Sequence, residues 1–209
     1  ARLNSKAAWR YGRMECRAKL PATTGTWPAF WTLGRNITEP GAYWSNLGFG
    51  TQPWPDCGEI DIMEHWGTQP NRVHHAVHTL SSSGATQNTF SQMLTGATTD
   101  FHLYSLIWTP EKLTFQVDSI TTYTYQPSNR NASTWPFQSP QYLLLNVAML
   151  ASAPSSFQRD SLLVDYVRVY QDSLDLPGSA VLTGGFRYAN PPGPPLLPAQ
   201  IRLYLGNLW

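Results

Sequence analysis

Short runs of residues that either alternate between apolar and polar or are largely apolar recur along the chain, and segments rich in turn-forming residues separate them. Because a strand points successive side chains to opposite faces, such alternation predicts half-buried strands. No helical period persists between them. Many short strands are typical of an all-β sandwich, in which one curved sheet can offer a concave face to a ligand. The predicted strands cover residues 13–20, 59–64, 73–80, 101–108, 113–117, 121–125, 142–148 and 162–170.

Turn and loop signals separate these strands. Asp118 and Ser119 follow the strand at residues 113–117 and predict a hairpin turn. Two long segments, residues 34–56 and 81–99, are rich in Gly, Ser, Thr, Asn and Pro. They predict loops that rim a cleft.

The chain changes character after residue 170. Residues 171–209 are rich in proline, and within them residues 201–205 are compatible with an edge strand. We therefore predict one domain over residues 1–170 and a proline-rich linker or non-native tail over residues 171–209.

The composition limits the classes of partner. A chain of 209 residues fits one domain with a substantial core. Charged residues make up only 13% and the formal net charge is +1, which predicts neither a nucleic-acid partner nor binding to an anionic membrane. Nine Trp and ten Tyr are many for this length, and their flat rings suit the apolar faces of sugars.

The two cysteines, Cys16 and Cys57, allow one disulfide but no disulfide scaffold. We predict that both are free thiols.

Three acids, Glu59, Asp61 and Glu64, lie within six residues of a strand-like apolar run. With a period of two, Glu59 and Asp61 point to one face and are exposed, whereas Ile60 and Ile62 point to the other and are buried. Glu64 would face the core unless a β-bulge at residues 62–63 absorbs one extra residue. We predict this bulge, which returns all three acids to one face.

Two carboxyls on a concave strand can carry out glycoside chemistry. If the side chains of Glu59 and Glu64 lean together, their carboxyls come to about 5–5.5 Å, the separation found in retaining glycosidases. One acid is then the nucleophile and the other the general acid and base. The alternative is a solvated acidic face on an edge strand, which the isoleucine and methionine residues argue against.

Six sequence blocks, in their order and spacing, resemble glycoside hydrolase family 16, in particular its bulge-type endo-β-1,3-glucanases, the laminarinases. Any one block is a weak signal, whereas six in order are specific. The blocks are residues 11–15, 19–21, 27–34, 57–64, 100–104 with Trp108, and 164–170.

The resemblance implies a β-jelly-roll sandwich of two antiparallel sheets with a concave substrate cleft. It also implies retaining, endo-acting hydrolysis of β-1,3-glucosidic or mixed β-1,3/1,4 bonds in β-glucans such as laminarin. Glu59 is then the nucleophile, Asp61 the assisting acid and Glu64 the general acid/base. The candidate substrate-binding residues are Trp27, Trp31, Trp66, His78 and Asn146.

The resemblance carries further expectations about metals, location and chain ends. No cofactor is required, although Asp165 matches an aspartate that binds a structural calcium in many relatives. We expect a monomeric extracellular or periplasmic protein whose partner is a β-glucan polysaccharide. Relatives usually have strands before the counterpart of Ala1, so we expect an N-terminally incomplete domain that is weakly stable and insensitive to calcium.

A metal site is one rival interpretation, because His74, His75 and His78 lie near Glu64 and His65 in the sequence. On a strand, however, His74 and His78 share a face and His75 opposes them. Two ligands are too few for a catalytic metal.

Two further alternatives keep the carbohydrate and change the activity. A binding module would use the tryptophans and carry out no chemistry, but paired acids raise each other's proton affinity, a cost that catalysis explains. A family relative could instead act on agar or carrageenan. The absence of a basic surplus disfavours sulfated polymers.

Overall fold

The computed structural model describes residues 1–171 and the strand at residues 201–204. The rest of the predicted linker or tail lies outside the described residues. The elements, in chain order, are β1 (Arg2–Trp9), β2 (Gly12–Lys19), β3 (Thr26–Gly34), α1 (Tyr43–Asn46), β4 (Glu59–Glu64), β5 (Arg72–His78), β6 (Thr89–Met93), β7 (His102–Trp108), β8 (Leu113–Val117), β9 (Ile120–Tyr125), β10 (Gln141–Met149), β11 (Ser161–Tyr170) and β12 (Ile201–Tyr204).

The strands form two six-stranded sheets. The first sheet has the order β1-β10-β3-β4-β5-β6, and the second has the order β12-β11-β2-β7-β8-β9. Every neighbouring pair is antiparallel. The predicted all-β class and the sandwich of two antiparallel sheets are confirmed.

All eight strands predicted from alternation are present, with ends within two residues of the prediction. The pattern missed three others. Strands β1 and β6 are mostly exposed, and β3 is buried on both faces. None of the three therefore shows the alternation that marks a half-buried strand.

The two predicted long loops are partly wrong. Residues 34–56 contain the short helix α1, and residues 81–99 contain β6, which pairs with β5. The predicted hairpin turn is confirmed: Asp118 and Ser119 link β8 to β9 with φ angles of 49° and 67°. Within residues 1–171 and 201–204, no helix is long and apolar enough to cross a membrane.

The main core lies between the two sheets. Its fully buried side chains include Phe30 and Ile60 from the first sheet and Met14, Leu106 and Phe115 from the second. Burial of large side chains at this interface holds the sheets together.

A second apolar cluster lies on the opposite face of the first sheet. In this cluster, side chains of β3 and β10 pack against side chains of the 34–56 segment. This packing holds the segment against the first sheet, next to the polar residues on the same face. The cluster consists of Leu33, Ile37, Trp44, Cys57, Tyr142 and Leu144.

Both cysteines are free, as predicted, and both are buried. Cys16 lies in the main core and Cys57 in the second cluster.

Candidate active site

The predicted bulge is present in β4. On the β3 side, Phe30 is paired with Met63 and Trp31 with Asp61. Ile62 therefore has no paired residue on β3, and it has none on β5. Ile62 is the extra residue of the bulge. It restores Glu64 to the same face as Glu59 although the two are an odd number of residues apart.

Glu59, Asp61 and Glu64 lie on the face of the first sheet that points away from the main core. Glu59 and Glu64 are half-buried, but Asp61 is only 3% exposed. The predicted exposure of the acids is therefore wrong for Asp61. His78 lies against it, with Nε2 3.1 Å from Asp61 Oδ2.

Glu59 has a partner that the sequence analysis missed. Trp54 Nε1 donates a hydrogen bond to Glu59 Oε2 at 2.5 Å, and the Trp54 ring lies 5.9 Å from the ring of His78. Trp54 belongs to the 34–56 segment, which was predicted as a loop. Its only sequence signal is an aromatic residue three positions before the family block at residues 57–64.

Glu64 is held by a second tryptophan. Trp27 Nε1 donates to Glu64 Oε1 at 2.9 Å. The Trp27 ring lies 6.4 Å from the ring of Trp66, which in turn lies 3.9 Å from the ring of His74. Aromatic rings therefore border the site at the Glu64 end.

Trp31 and Asn146 extend the same face across β3 and β10. Trp31 Nε1 donates to Asn146 Oδ1 at 2.6 Å. The guanidinium of Arg2 lies 5.3 Å from the centre of the Trp31 ring. The structure thus brings the three acids and all five predicted substrate-binding residues to one face of the first sheet.

Asp165 lies elsewhere, on β11 of the second sheet. It occupies the register shift between Val164 and Tyr166, and its Oδ2 accepts a hydrogen bond from Arg17 Nη1 at 2.7 Å. This carboxylate already faces a guanidinium, whereas calcium requires several oxygen ligands. The described surroundings of Asp165 do not fit a calcium centre.

Burial is the largest cause that raises the pKa of each acid in the site. For Glu59, burial and the charge of Asp61 raise the pKa to about 8, while His78 and the hydrogen bond from Trp54 favour the charged form. Burial and the charge of Glu64 raise the pKa of Asp61 well above its usual range. Burial also raises the pKa of Glu64, against the hydrogen bond from Trp27. The site therefore holds fewer than three negative charges at neutral pH.

The histidines do not form the metal site considered above. His74 and His78 contact groups on the cleft face, whereas His75 is fully buried on the core face. Within the part of the chain that the structure describes, the only group of three or more potential ligands is Glu59, Asp61 and His78. In the carboxylate site, Asp61 already contacts His78 and Glu59 already contacts Trp54.

The fold and the site define a β-sandwich protein with paired carboxylates on one sheet face, and comparison with known proteins places it in a family. The family model described as glycosyl hydrolases family 16 matches residues 1–168. The chain belongs to glycoside hydrolase family 16.

Similar proteins include enzymes for different polysaccharides. The beta-glucanase of Rhodothermus marinus is 41% identical over 181 residues, which cover 79% of this chain and 59% of the relative. The keratan-sulfate endo-1,4-beta-galactosidase of Sphingobacterium multivorum is 37% identical over 172 residues, covering 79% of this chain and 38% of the relative. The chain therefore spans little more than half of the first relative and less of the second.

A solved structure also matches. A single-residue variant of LamA from Z. galactanivorans, in complex with laminaritriose and laminaritetraose, has a TM-score of 0.72 and 40% identity, and the match covers 81% of this chain and 69% of that chain. The jelly-roll architecture implied by the sequence is thus shared with a solved relative.

Proposed function

We propose that the protein is an endo-acting, retaining glycoside hydrolase that cleaves internal β-1,3-glucosidic or mixed β-1,3/1,4 bonds in β-glucans such as laminarin. The observation that carries the proposal is the placement of Glu59 and Glu64 on one face across a one-residue bulge, each accepting an indole N–H. Family membership and the beta-glucanase relative support the substrate class.

In the first step, the Glu59 carboxylate attacks the anomeric carbon while Glu64 protonates the departing glycosidic oxygen. A nucleophile must be ionised, and the Trp54 hydrogen bond and His78 favour that form of Glu59 against burial and the charge of Asp61, which raise its pKa. Burial favours the protonated form of Glu64, which a general acid requires. The glycosidic bond breaks and an ester between the sugar and Glu59 forms.

In the second step, Glu64 is ionised and takes a proton from the water that attacks this ester. Glu59 leaves as a carboxylate. A carboxylate oxygen of Asp61 lies within 4.8 Å of one of Glu59, and the charge of Asp61 raises the pKa of Glu59. Asp61 can therefore hold a proton in common with Glu59 as the charge of the nucleophile changes through the cycle.

The remaining residues of the face provide the polysaccharide site. The rings of Trp27, Trp31 and Trp66 offer flat surfaces for sugars, and Asn146 and His78 offer polar groups between them. Sugar complexes of the Z. galactanivorans relative support a polysaccharide partner.

A different polymer is the second candidate function. The keratan-sulfate endo-1,4-beta-galactosidase relative supports a galactose-containing substrate, such as agar or carrageenan, as the alternative to a glucan. A non-catalytic carbohydrate-binding domain is the third, since every cleft residue other than the acids would also serve binding.

Reducing-sugar release from laminarin, lichenan, agarose, carrageenan and keratan sulfate distinguishes these candidates. We expect release from laminarin, with lichenan second. Release from a galactose polymer alone would show that the substrate is a galactan and not a β-glucan. Binding of laminarin without release from any polymer would favour a non-catalytic binding domain.

The acid assignment is tested with Glu59→Gln and Glu64→Gln. We expect each to lower turnover on laminarin by about 10³-fold or more while binding of laminarin oligosaccharides stays within about threefold. With azide, Glu59→Ala should give an α-glycosyl azide and Glu64→Ala a β-glycosyl azide, because only the first lacks the nucleophile. Glu111→Gln, an exposed acid remote from β4, is the matched control and should retain activity. Unchanged hydrolysis in either glutamine variant of the site would refute the assignment.

Three further proposals accompany this function. Enzymes of this family generally need no cofactor, and the pairing of Asp165 with Arg17 counts against a structural calcium there. The family resemblance supports an extracellular or periplasmic location. A monomer is our expectation, which sedimentation of the purified chain would test.

A further inference from the structure

His75 lies on β5 directly opposite the bulge, and its side chain points into the main core. On β4, Ile62 and Met63 together face this one residue. The His75 side chain is fully buried. It cannot contact a sugar in the cleft, because the cleft lies on the other face of the sheet.

The imidazole ring of His75 is hydrogen-bonded at both nitrogens. Nδ1 lies 2.7 Å from the carbonyl oxygen of Ile62, and a carbonyl only accepts, so Nδ1 carries the hydrogen. Nε2 lies 2.9 Å from Thr122 Oγ1. Burial lowers the pKa of His75 to about 4, so the neutral ring accepts from the threonine hydroxyl at Nε2.

Thr122 is the extra residue of a second bulge, in β9 of the other sheet. On β8, Phe115 is paired with Tyr123 and the following residue with Thr121, so Thr122 has no partner there. Its hydroxyl also lies 3.1 Å from the carbonyl oxygen of Phe115, so its single hydrogen is shared between that carbonyl and His75 Nε2. One imidazole ring therefore joins the bulge of the first sheet to the bulge of the second.

We propose that His75 is a positioning residue that locks the β4 bulge against the second sheet and thereby aims Glu64 at the leaving oxygen. The role of Glu64 in this proposal rests on the proposed function. Without its hydrogen bond from His75, the Ile62 carbonyl has no paired strand residue to hold it. Loss of the bulge would turn Glu64 toward the core, because residues 59 and 64 are an odd number of residues apart.

Four variants separate the lock from simple packing. His75→Phe keeps a ring and removes both hydrogen bonds, whereas His75→Asn keeps an N–H near the position of Nδ1. Thr122→Val removes only the outer partner, and Thr122→Ser retains its hydroxyl. We expect His75→Phe to lower kcat/KM on laminaritetraose by about tenfold or more, Thr122→Val to lower it less, and His75→Asn and Thr122→Ser to recover most of it.

A second substrate identifies which acid the lock serves. A dinitrophenyl β-glycoside needs little protonation of its leaving group, so its kcat/KM depends weakly on Glu64. We expect His75→Phe to lower kcat/KM on this substrate by less than about threefold. Equal losses on both substrates, or a lower melting temperature with unchanged kcat/KM, would overturn the proposal.

Tyr125→Phe is the matched control. It also removes a partly buried side-chain hydrogen bond to a carbonyl, that of Thr134 at 2.6 Å, but one that contacts neither His75 nor the β4 bulge. It should lower the melting temperature and leave the ratio of the two kcat/KM values unchanged. If both His75 variants fail to fold, the ratio of the two kcat/KM values is compared between Thr122→Val and Thr122→Ser instead.

Failure of the proposed function is recognised separately. Wild-type protein that hydrolyses neither substrate refutes that function, and NMR of the His75 ring then decides whether the lock exists. An Nδ1–H tautomer that persists at pH 5 supports the lock. An Nε2–H tautomer, or a ring that titrates near pH 6.5, overturns it.

Discussion

Glu59 and Glu64 each accept a hydrogen bond from one tryptophan, and these two tryptophans differ in how far the sequence reveals them. Trp27 lies in a family block and was predicted as a flat surface for sugars, yet its N–H also holds Glu64. Trp54 lies in a segment without strand periodicity, so no pattern connected it with Glu59. Local spacing thus predicts which residues share a strand face, but a contact supplied by a loop depends on how that loop packs.

Trp54→Phe tests the contribution of this loop to Glu59. Loss of the N–H removes an interaction that lowers the pKa of Glu59, so the carboxyl should remain protonated to higher pH. We expect the acidic limb of the kcat/KM profile on laminarin to move to higher pH and kcat/KM at pH 6 to fall about tenfold. Trp44→Phe, in the second apolar cluster, is the control whose acidic limb should not move. A profile in Trp54→Phe that matches wild type would show that the hydrogen bond is dispensable.

Among the elements, prediction succeeded where the sequence either alternates between apolar and polar residues or holds an apolar run. Strand β8 alternates between buried and partly exposed residues, whereas β10 is an apolar run that is buried on both faces over most of its length. Strands β1 and β6 are mostly exposed, so their hydrophobic pattern does not distinguish them from loops. Strand β3 is buried on both faces, so its pattern does not show the alternation of a half-buried strand. The β4 bulge was predictable because the odd spacing of Glu59 and Glu64 conflicts with strand period unless one residue is skipped.

The start of β4 depends on a glycine. Gly58 has a φ of +76°, and a Cβ there would lie 2.8 Å from side-chain atoms of both Phe137 and Pro136. We expect Gly58→Ala to lower the free energy of unfolding by about 2–4 kcal/mol, combining backbone strain and overpacking. Gly48→Ala has a similar φ of +83° with no atom within 4 Å, so it should show the backbone part alone. Denaturant unfolding measures both, and equal losses would show that the packing against Phe137 is not limiting.

At the scale of the whole molecule, folding raises the pKa values of the buried acids and lowers those of the buried histidines. Folding raises the pKa of Glu59 from 4.5 to about 8, and the pKa values of Asp61 and Glu64 also rise. The folded state therefore binds more protons than the unfolded state above pH 4.5, and the free energy of unfolding falls as pH rises toward 8. Burial lowers the pKa of His74 and His75 from 6.5 to about 4, so these rings reduce stability only below pH 6.5.

The interval from pH 6.5 to 8 isolates the contribution of the acids. We expect the melting temperature to fall across it, with each titrating acid contributing at most about 1.4 kcal/mol per pH unit. Glu59→Gln cannot ionise and should flatten this dependence, whereas the exposed control Glu111→Gln should leave it unchanged. Scanning calorimetry at fixed ionic strength is the measurement, and an equally steep fall in Glu59→Gln would contradict the raised pKa of Glu59.

The separate placement of the two cysteines gives the molecule a pair of internal reporters. Cys57 lies under the 34–56 segment and Cys16 lies between the sheets, with the first sheet dividing their clusters. Burial raises the pKa of Cys57 to about 12 and that of Cys16 further, so neither thiol reacts in place. A thiol reagent reaches Cys57 when the 34–56 segment opens locally. It reaches Cys16 only when the two sheets separate. Two labelling rates on one chain thus separate the local breathing of the cleft from global opening of the fold.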